Sequence, residues 1–314
     1  MPFAQAYSDI RMLISRTESV IQHQTKAIEL LTAAALCGAH VLIEDVPGTG
    51  KTTLAKIFSH LLQLEFQRIQ FTPDLLPSDI LGVSIYHPGD KQFELHKGPI
   101  FSQVLLADEI NRASPRTQSA LLEAMAEKQV TIEREQYPLD DHFFVIATQN
   151  PTESQGTYPL PEAQMDRFGI RITLGYIPAE AETKMLAQQL QIADLQIPVK
   201  PCLSLQRLTE LRKCVREVQI SESMLRYIVD LVQKTRQLDT VQLGASSRAA
   251  IIWAKMAQAM ALIQEQQCVT PDHVQKIAVP ILAHRLHLNA EALYAGESCQ
   301  QAVQDVLAQT PIPD

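Results

Sequence analysis

The stretch Val41-Leu42-Ile43-Glu44-Asp45-Val46-Pro47-Gly48-Thr49-Gly50-Lys51-Thr52-Thr53 decides the fold. Val41-Leu42-Ile43 is a short apolar run, the pattern of a strand buried on both faces. A glycine-containing loop follows, and helical spacing then runs from Thr52 to Leu62. In a strand–loop–helix of this kind, backbone N–H groups close around a β-phosphate and the helix N-terminus adds its partial positive charge. Lys51 can reach β- and γ-phosphates, and the Thr52 hydroxyl can hold Mg²⁺. The candidate nucleotide-binding residues are Asp45, Val46, Pro47, Gly48, Thr49, Gly50, Lys51, Thr52 and Thr53. Asp45 stands where the strict G-x-x-x-x-G-K-T pattern has its first glycine. Asp tolerates left-handed backbone better than most residues, so the turn is expected to survive if the carboxylate points away from the phosphates.

Outward from this stretch, helical patterns alternate with apolar runs. Ile21, Ile28, Leu31 and Ala35 recur at helical spacing. Phe66 to Phe71, Val104 to Ala107 and Phe143 to Ala147 read as further strands. Strands alternating with helices predict a parallel sheet covered on both faces. Two hairpins interrupt the pattern. One is Val83 to His96, turning at His87-Pro88-Gly89-Asp90, and the other is Val130 to Leu139, where Val130, Ile132 and Arg134 alternate with their neighbours. Beyond Pro178, prolines at Pro178, Pro198 and Pro201 mark a connection. Helical patterns then dominate: Leu205 to Val218, Ser221 to Arg236, Ser246 to Gln266 and Pro271 to Leu288. The expected organisation is an α/β domain over 1–177, with an N-terminal helix, and a helical domain over 178–314.

The Val104 run ends in Asp108-Glu109. An acid pair at a strand end is often only a solvated terminus. Beside a phosphate loop at the carboxyl edge of a sheet, Asp108 can orient Mg²⁺ and Glu109 can act as general base on water. Asn150 follows the Phe143 run. It is either a turn residue before Pro151 or, if its strand neighbours that of Asp108, a group positioning the attacking water.

The chain has 314 residues, 46% of them hydrophobic and 20% charged, which excludes a disordered chain and a coiled coil. Its 27 basic and 35 acidic residues give a net charge of -8, which speaks against a mainly electrostatic nucleic-acid binder. The five cysteines form no C-x-x-C pair and read as free thiols in a reducing compartment. No signal peptide is visible, and the apolar stretch Leu30 to Ile43 is too short to span a bilayer. A cytoplasmic protein is expected. His284 and His287 lie close in sequence, but no nearby acid completes a metal site.

Taken in order, these residues resemble an AAA+ ATPase, and more closely the MoxR family. The resemblance runs from about Thr17 to about Leu288. Besides Glu44 to Thr53 it rests on Phe71 to Asp79, Asp108 to Ala113, Ala147 to Pro151, Leu160 to Phe168 and Gly244 to Ala249. The second and fifth of these six stretches are the specific ones. The resemblance implies a P-loop NTPase sheet with hairpin inserts and an all-α lid. It implies Walker A roles for Lys51 and Thr52, Walker B roles for Asp108 and Glu109, and a sensor 1 role for Asn150. Arg167 matches the arginine finger that reaches a neighbouring subunit, and Arg248 matches sensor 2. On sequence alone, Arg167 could instead cap a helix or pair with Asp166, and Arg248 could be a solvated helix residue. Both hairpins would project toward a ring's pore or substrate face. Gln22-His23-Gln24 replaces the usual Gly-Gln near adenine, and Ser247 replaces a common Pro.

The implied function is an ATP- and Mg²⁺-dependent remodelling motor assembled as a ring, a hexamer by that resemblance. It would act in chaperone-like maturation or metal insertion of client proteins, with a von Willebrand factor A domain partner, without nucleic acid and without a membrane segment. A P-loop small-molecule kinase, a DNA-acting motor and a nucleotide-gated scaffold with weak hydrolysis remain alternatives. The scaffold is suggested by Asp45.

Overall fold

Strand β1 (Val41–Glu44) lies near the middle of a five-stranded sheet with β2 (Phe66–Gln70), β5 (Val104–Asp108), β8 (Phe144–Gln149) and β9 (Ile170–Ile172). The order is β2-β5-β8-β1-β9, and every pairing is parallel. The computed structural model describes residues 3–89, 92–133, 135–151, 157–183 and 199–313.

Strand alternation explains why both faces are covered. Val41 and Ile43, Val104 and Leu106, and Phe144 and Ile146 point into one apolar cluster. Leu42, Leu105, Ala107, Val145 and Ala147 point into a second. The first is closed by α1 (Phe3–Glu18), α2 (Thr25–Cys37), α3 (Lys51–Leu61) and the C-terminal helices. The second is closed mainly by α5 (Pro115–Glu127), after the short α4 (Pro77–Leu81). Ile21 precedes α2 instead of lying in it, because the chain turns at His23 with φ +60°.

Both expected hairpins are present. One pairs β3 (Gly82–His87) with β4 (Gln92–Lys97), and the other pairs β6 (Gln129–Ile132) with β7 (Glu135–Pro138). Asp90 and Arg134, read as parts of these hairpins, lie outside the described residues, as does Pro198. Tyr86 and Phe93 meet across the first hairpin as a tilted pair with ring centroids 5.2 Å apart, both exposed.

After β9 the chain has no regular secondary structure as far as Pro178. The C-terminal helices include Leu205–Glu217, Glu222–Thr235 and Ser247–Ile263. Ser204, Ser221 and Ser246 each cap one by accepting a backbone N–H three residues on. Helix Ser247–Ile263 packs on α2, and its buried residues include the small Ala257 and Ala261. Its Trp253 is fully buried and donates its indole N–H to Val274 O at 2.9 Å. The pattern expected as one helix from Pro271 to Leu288 is two short helices, Pro271–Lys276 and Ala278–Leu282, followed by strand His287–Leu288. The break falls at Ile277, and the strand pairs antiparallel with Val241–Leu243, a ribbon that the helical spacing concealed.

Candidate functional site

The loop from Asp45 to Gly50 leaves the carboxyl end of β1 and opens α3. Gly48 and Gly50 have φ of +84° and +88°, left-handed values that any side chain would strain. No atom lies within 4 Å of where their Cβ atoms would be, so the space they face is open. Lys51 donates through Nζ to Asp45 O (2.8 Å) and Val46 O (2.9 Å), which folds its ammonium over the loop. Thr49 Oγ1 donates to Val46 O at 3.3 Å. Pro47, Gly48 and Thr53 are exposed.

Asp45 does not use the left-handed backbone that was expected of it, since its φ is not positive. Its side chain explains the substitution instead. Oδ1 accepts from Val46 N at 2.8 Å, and Oδ2 accepts from Leu174 N at 2.9 Å and Gly175 N at 2.7 Å. The carboxylate is buried and turned toward the end of β9. It ties the phosphate loop to the chain that leaves the sheet.

Asp108 and Glu109 stand at the carboxyl end of β5. Asp108 is buried: Oδ1 accepts from Thr148 Oγ1 at 2.5 Å, and Oδ2 accepts from Arg68 Nη2 at 2.7 Å and Nε at 3.1 Å. Thr52 Oγ1 lies 3.5 Å from the same Oδ2. Glu109 has φ +57°. This unusual backbone is held because its N–H donates to Thr148 Oγ1 at 2.8 Å. Its Oε2 accepts from Gln70 Nε2 at 2.7 Å and Arg112 Nη1 at 2.9 Å. Asn150 is buried just past β8, and β8 lies between β5 and β1, so Asn150 sits at the same sheet edge.

Arg68, Gln70, Arg112 and Thr148 bond to Asp108 or Glu109 and were not assigned from the sequence. Gln70 pairs in register with Asp108 across β2 and β5, a relation set by sheet order and not by any local motif.

Arg167 and Arg248 are not at this edge. Gly169 N donates to His40 O at 2.8 Å, and Ile170 pairs with Val41, so Arg167 precedes β9 at the amino edge of the sheet. A four-residue β1 separates the two edges by about 13 Å. Arg167 and the exposed Arg248 line one cleft of about 330 Å³, together with Lys128, Lys255, Arg285 and Asp166. The sequence alternative that pairs Arg167 with Asp166 is not what occurs, because Asp166 pairs with Arg285 (Nε–Oδ1 2.8 Å). A larger cavity of about 770 Å³ lies at the carboxyl end of β9, lined by residues including His23, Gln24, Thr173, Leu174, Gln275 and Ile277.

Residues 40–170 match the ATPase family associated with various cellular activities (AAA), and residues 233–306 match the AAA lid domain. The chain is 36% identical to chaperone MoxR1 of Mycobacterium tuberculosis, over 96% of this chain and 81% of that one. It is 30% identical to protein MoxR of Paracoccus denitrificans, over 94% and 93%. The chain belongs to the MoxR family of AAA ATPases. Another relative, protein YeaC of Bacillus subtilis, is 45% identical over 90% of this chain and 88% of its own length. A crystal structure assigned as an ATPase from Cytophaga hutchinsonii superimposes with a TM-score of 0.92 at 40% identity, covering 99% of this chain and 97% of that one. The α/β sheet and lid are thus those of a MoxR-type AAA protein. No helix among the described residues is long and apolar enough to cross a membrane.

Proposed function

We propose that this chain is an ATP-hydrolysing remodelling ATPase of MoxR type whose catalytic site is completed by a neighbouring copy. The observation that carries this reading is the separation just described. The phosphate loop, Asp108, Glu109 and Asn150 occupy one sheet edge, and Arg167 and Arg248 occupy the other. Guanidinium groups suit developing phosphoryl charge, yet these two line a cleft at the edge away from the chain's own loop. Placed against a second copy's loop, they give a head-to-tail contact, which closes into a ring when its rotation permits.

Within one copy, the loop N–H groups from Gly48 to Thr52 and Lys51 Nζ hold the β- and γ-phosphates. The 770 Å³ cavity lies where the nucleoside would follow. Thr52 Oγ1 and Asp108 Oδ2 are hard oxygen donors suited to Mg²⁺ shared with phosphate oxygens. That Asp108 Oδ2 already accepts a cationic Arg68 fits a position made for positive charge. When bound, Mg²⁺ neutralises charge on the phosphates. Glu109 takes the proton from the attacking water, and Asn150 orients that water. To do so Glu109 must exchange its bonds to Gln70 and Arg112. The scaffold alternative rested on Asp45, whose carboxylate is engaged by Leu174 and Gly175.

In the same reading, residues 1–177 form the nucleotide domain and 178–314 the linker and lid. Six copies form the ring in the cytoplasm. The exposed hairpins meet a client protein, and a von Willebrand factor A domain protein serves as partner, in chaperone-like maturation or metal insertion. Calorimetry and phosphate release test the core of it. Lys51→Ala is expected to lose ATP binding. Glu109→Gln is expected to keep binding and lose turnover by on the order of 10²–10⁴-fold. Wild-type turnover in Glu109→Gln would remove Glu109 from the role of base.

A further inference from the structure

The segment that carries Arg167 is fastened to the C-terminal helices by a residue set that no motif assigns. Arg285 is almost fully buried, with 2% of its side chain exposed. A guanidinium has five N–H donors in a fixed fork, and all five have acceptors here. Nε donates to Asp166 Oδ1 at 2.8 Å. Nη1 donates to Gly169 O at 3.1 Å and to Ile281 O. Nη2 donates to Phe168 O at 2.6 Å and, more weakly, to Asp166 O at 3.4 Å. Four of these five bonds end on Asp166, Phe168 or Gly169, the residues flanking Arg167.

The other carboxylate oxygen of Asp166 accepts from Ser246 Oγ at 2.9 Å. Ser246 is also the N-cap of helix Ser247–Ile263, accepting from Ala249 N at 3.3 Å. Arg248 is the second residue of that helix. A single carboxylate therefore joins the residue before Arg167 to the cap of Arg248's helix. From the base side, Gly169 N is held by His40 O, and a Cβ on Gly169 would fall 2.6 Å from Ala39 Cβ. The segment has no slack on either side.

Charge makes the same point. The cleft is lined by Lys128, Arg167, Arg248, Lys255 and Arg285, and among its described lining residues Asp166 is the one acid. Like charges gathered in a cleft repel, and only Asp166 offsets them from within.

We propose that Asp166, Arg285 and Ser246 are positioning residues that hold Arg167 and Arg248 as a preset pair aimed at the neighbouring copy's phosphates. The proposal rests on the shared-site reading above. These residues touch no nucleotide of their own copy, so the clamp acts on turnover and not on nucleotide affinity.

Two variants test it: Asp166→Asn, which keeps the shape and removes the charge, and Arg285→Lys, which keeps the charge and removes the fork. Each is expected to bind ATP within about two-fold of wild type and to lose on the order of 10–100-fold in kcat, the effect of misplacing a catalytic group by about 1 Å. Each is then mixed with Glu109→Gln, whose own site is dead and whose arginine face is intact. The mixture is expected to exceed the summed rates of its two components, because intact sites now meet intact arginines. A fold defect would not be restored this way. Arg167→Ala, run in parallel, separates the two claims. If Arg167→Ala is restored by mixing and the clamp variants are not, or if they turn over like wild type, the clamp is overturned while the shared site stands. If Arg167→Ala itself is unimpaired or is not restored, the shared-site reading falls and the clamp with it. Should Asp166→Asn fail to melt cooperatively, Arg285→Lys and Ser246→Gly carry the same comparison, Gly being a tolerated N-cap residue.

Discussion

Asp45 holds three backbone N–H groups with one carboxylate, those of Val46, Leu174 and Gly175. Removing it strands these donors in a site where the acid itself is buried. Asp45→Ala is expected to lower stability by about 3 kcal/mol, read as a shift in denaturant midpoint. A change near zero would mean that water replaces the carboxylate freely. His40 is a second residue with a measurable signature. Its Nδ1 accepts from Val145 N at 3.0 Å, and its Nε2 meets Met125 O at 3.2 Å. The ring is buried, and desolvation lowers its pKa from 6.5 to about 4. The unfolded chain thus binds the proton that the folded chain refuses between these values. Stability from His40 is complete above pH 6.5 and is lost as pH falls toward about 4, by about 3 kcal/mol. His284, whose pKa burial also lowers, adds to the trend with the same sign. His40→Gln, which keeps one donor and one acceptor, should flatten the pH dependence of stability across that window. An unchanged slope would place the titration elsewhere.

Among the elements, the ones readable from the chain were those whose geometry is set locally. The phosphate loop declares itself because φ near +85° at Gly48 and Gly50, the strand before it and the helix after it are all consecutive. The hairpins declare themselves through alternation and turn residues. Relations between distant segments were not readable. Arg68 reaches Asp108 across 40 positions, and Arg285 reaches Asp166 across 119. Nothing in either neighbourhood announces the partner. The ribbon of Val241–Leu243 with His287–Leu288 was hidden for the same reason. The β3–β4 hairpin offers the prediction that belongs at this scale. Gly82 has φ +96°, and a Cβ there would fall 2.2 Å from His96 O, backbone that cannot step aside without opening the ladder. Gly82→Ala is expected to cost more than about 2 kcal/mol and to expose the hairpin to protease. Phe93→Ala, removing a ring that is 65% exposed, should change stability by less than about 1 kcal/mol. Equal effects from the two variants would show that the hairpin's base is more compliant than its contacts imply.

For the whole molecule, one apolar cluster runs from the sheet through α1 and α2 into the C-terminal helices, so sheet and lid are packed as continuous structure. Among the described residues, the two candidate site edges do not meet within one copy. Loop and acids lie at the carboxyl edge, arginines at the amino edge, about 13 Å apart along β1. On the proposed reading the active site is complete only when copies meet, and its activity follows mass action. The most direct measurement is therefore ATPase rate per subunit as protein concentration is raised, for wild type and for Arg167→Ala. The wild-type specific rate is expected to climb and then level off as assembly saturates, while Arg167→Ala stays low throughout. Two identical rates, independent of concentration, would contradict a shared site and leave Arg167 a structural residue.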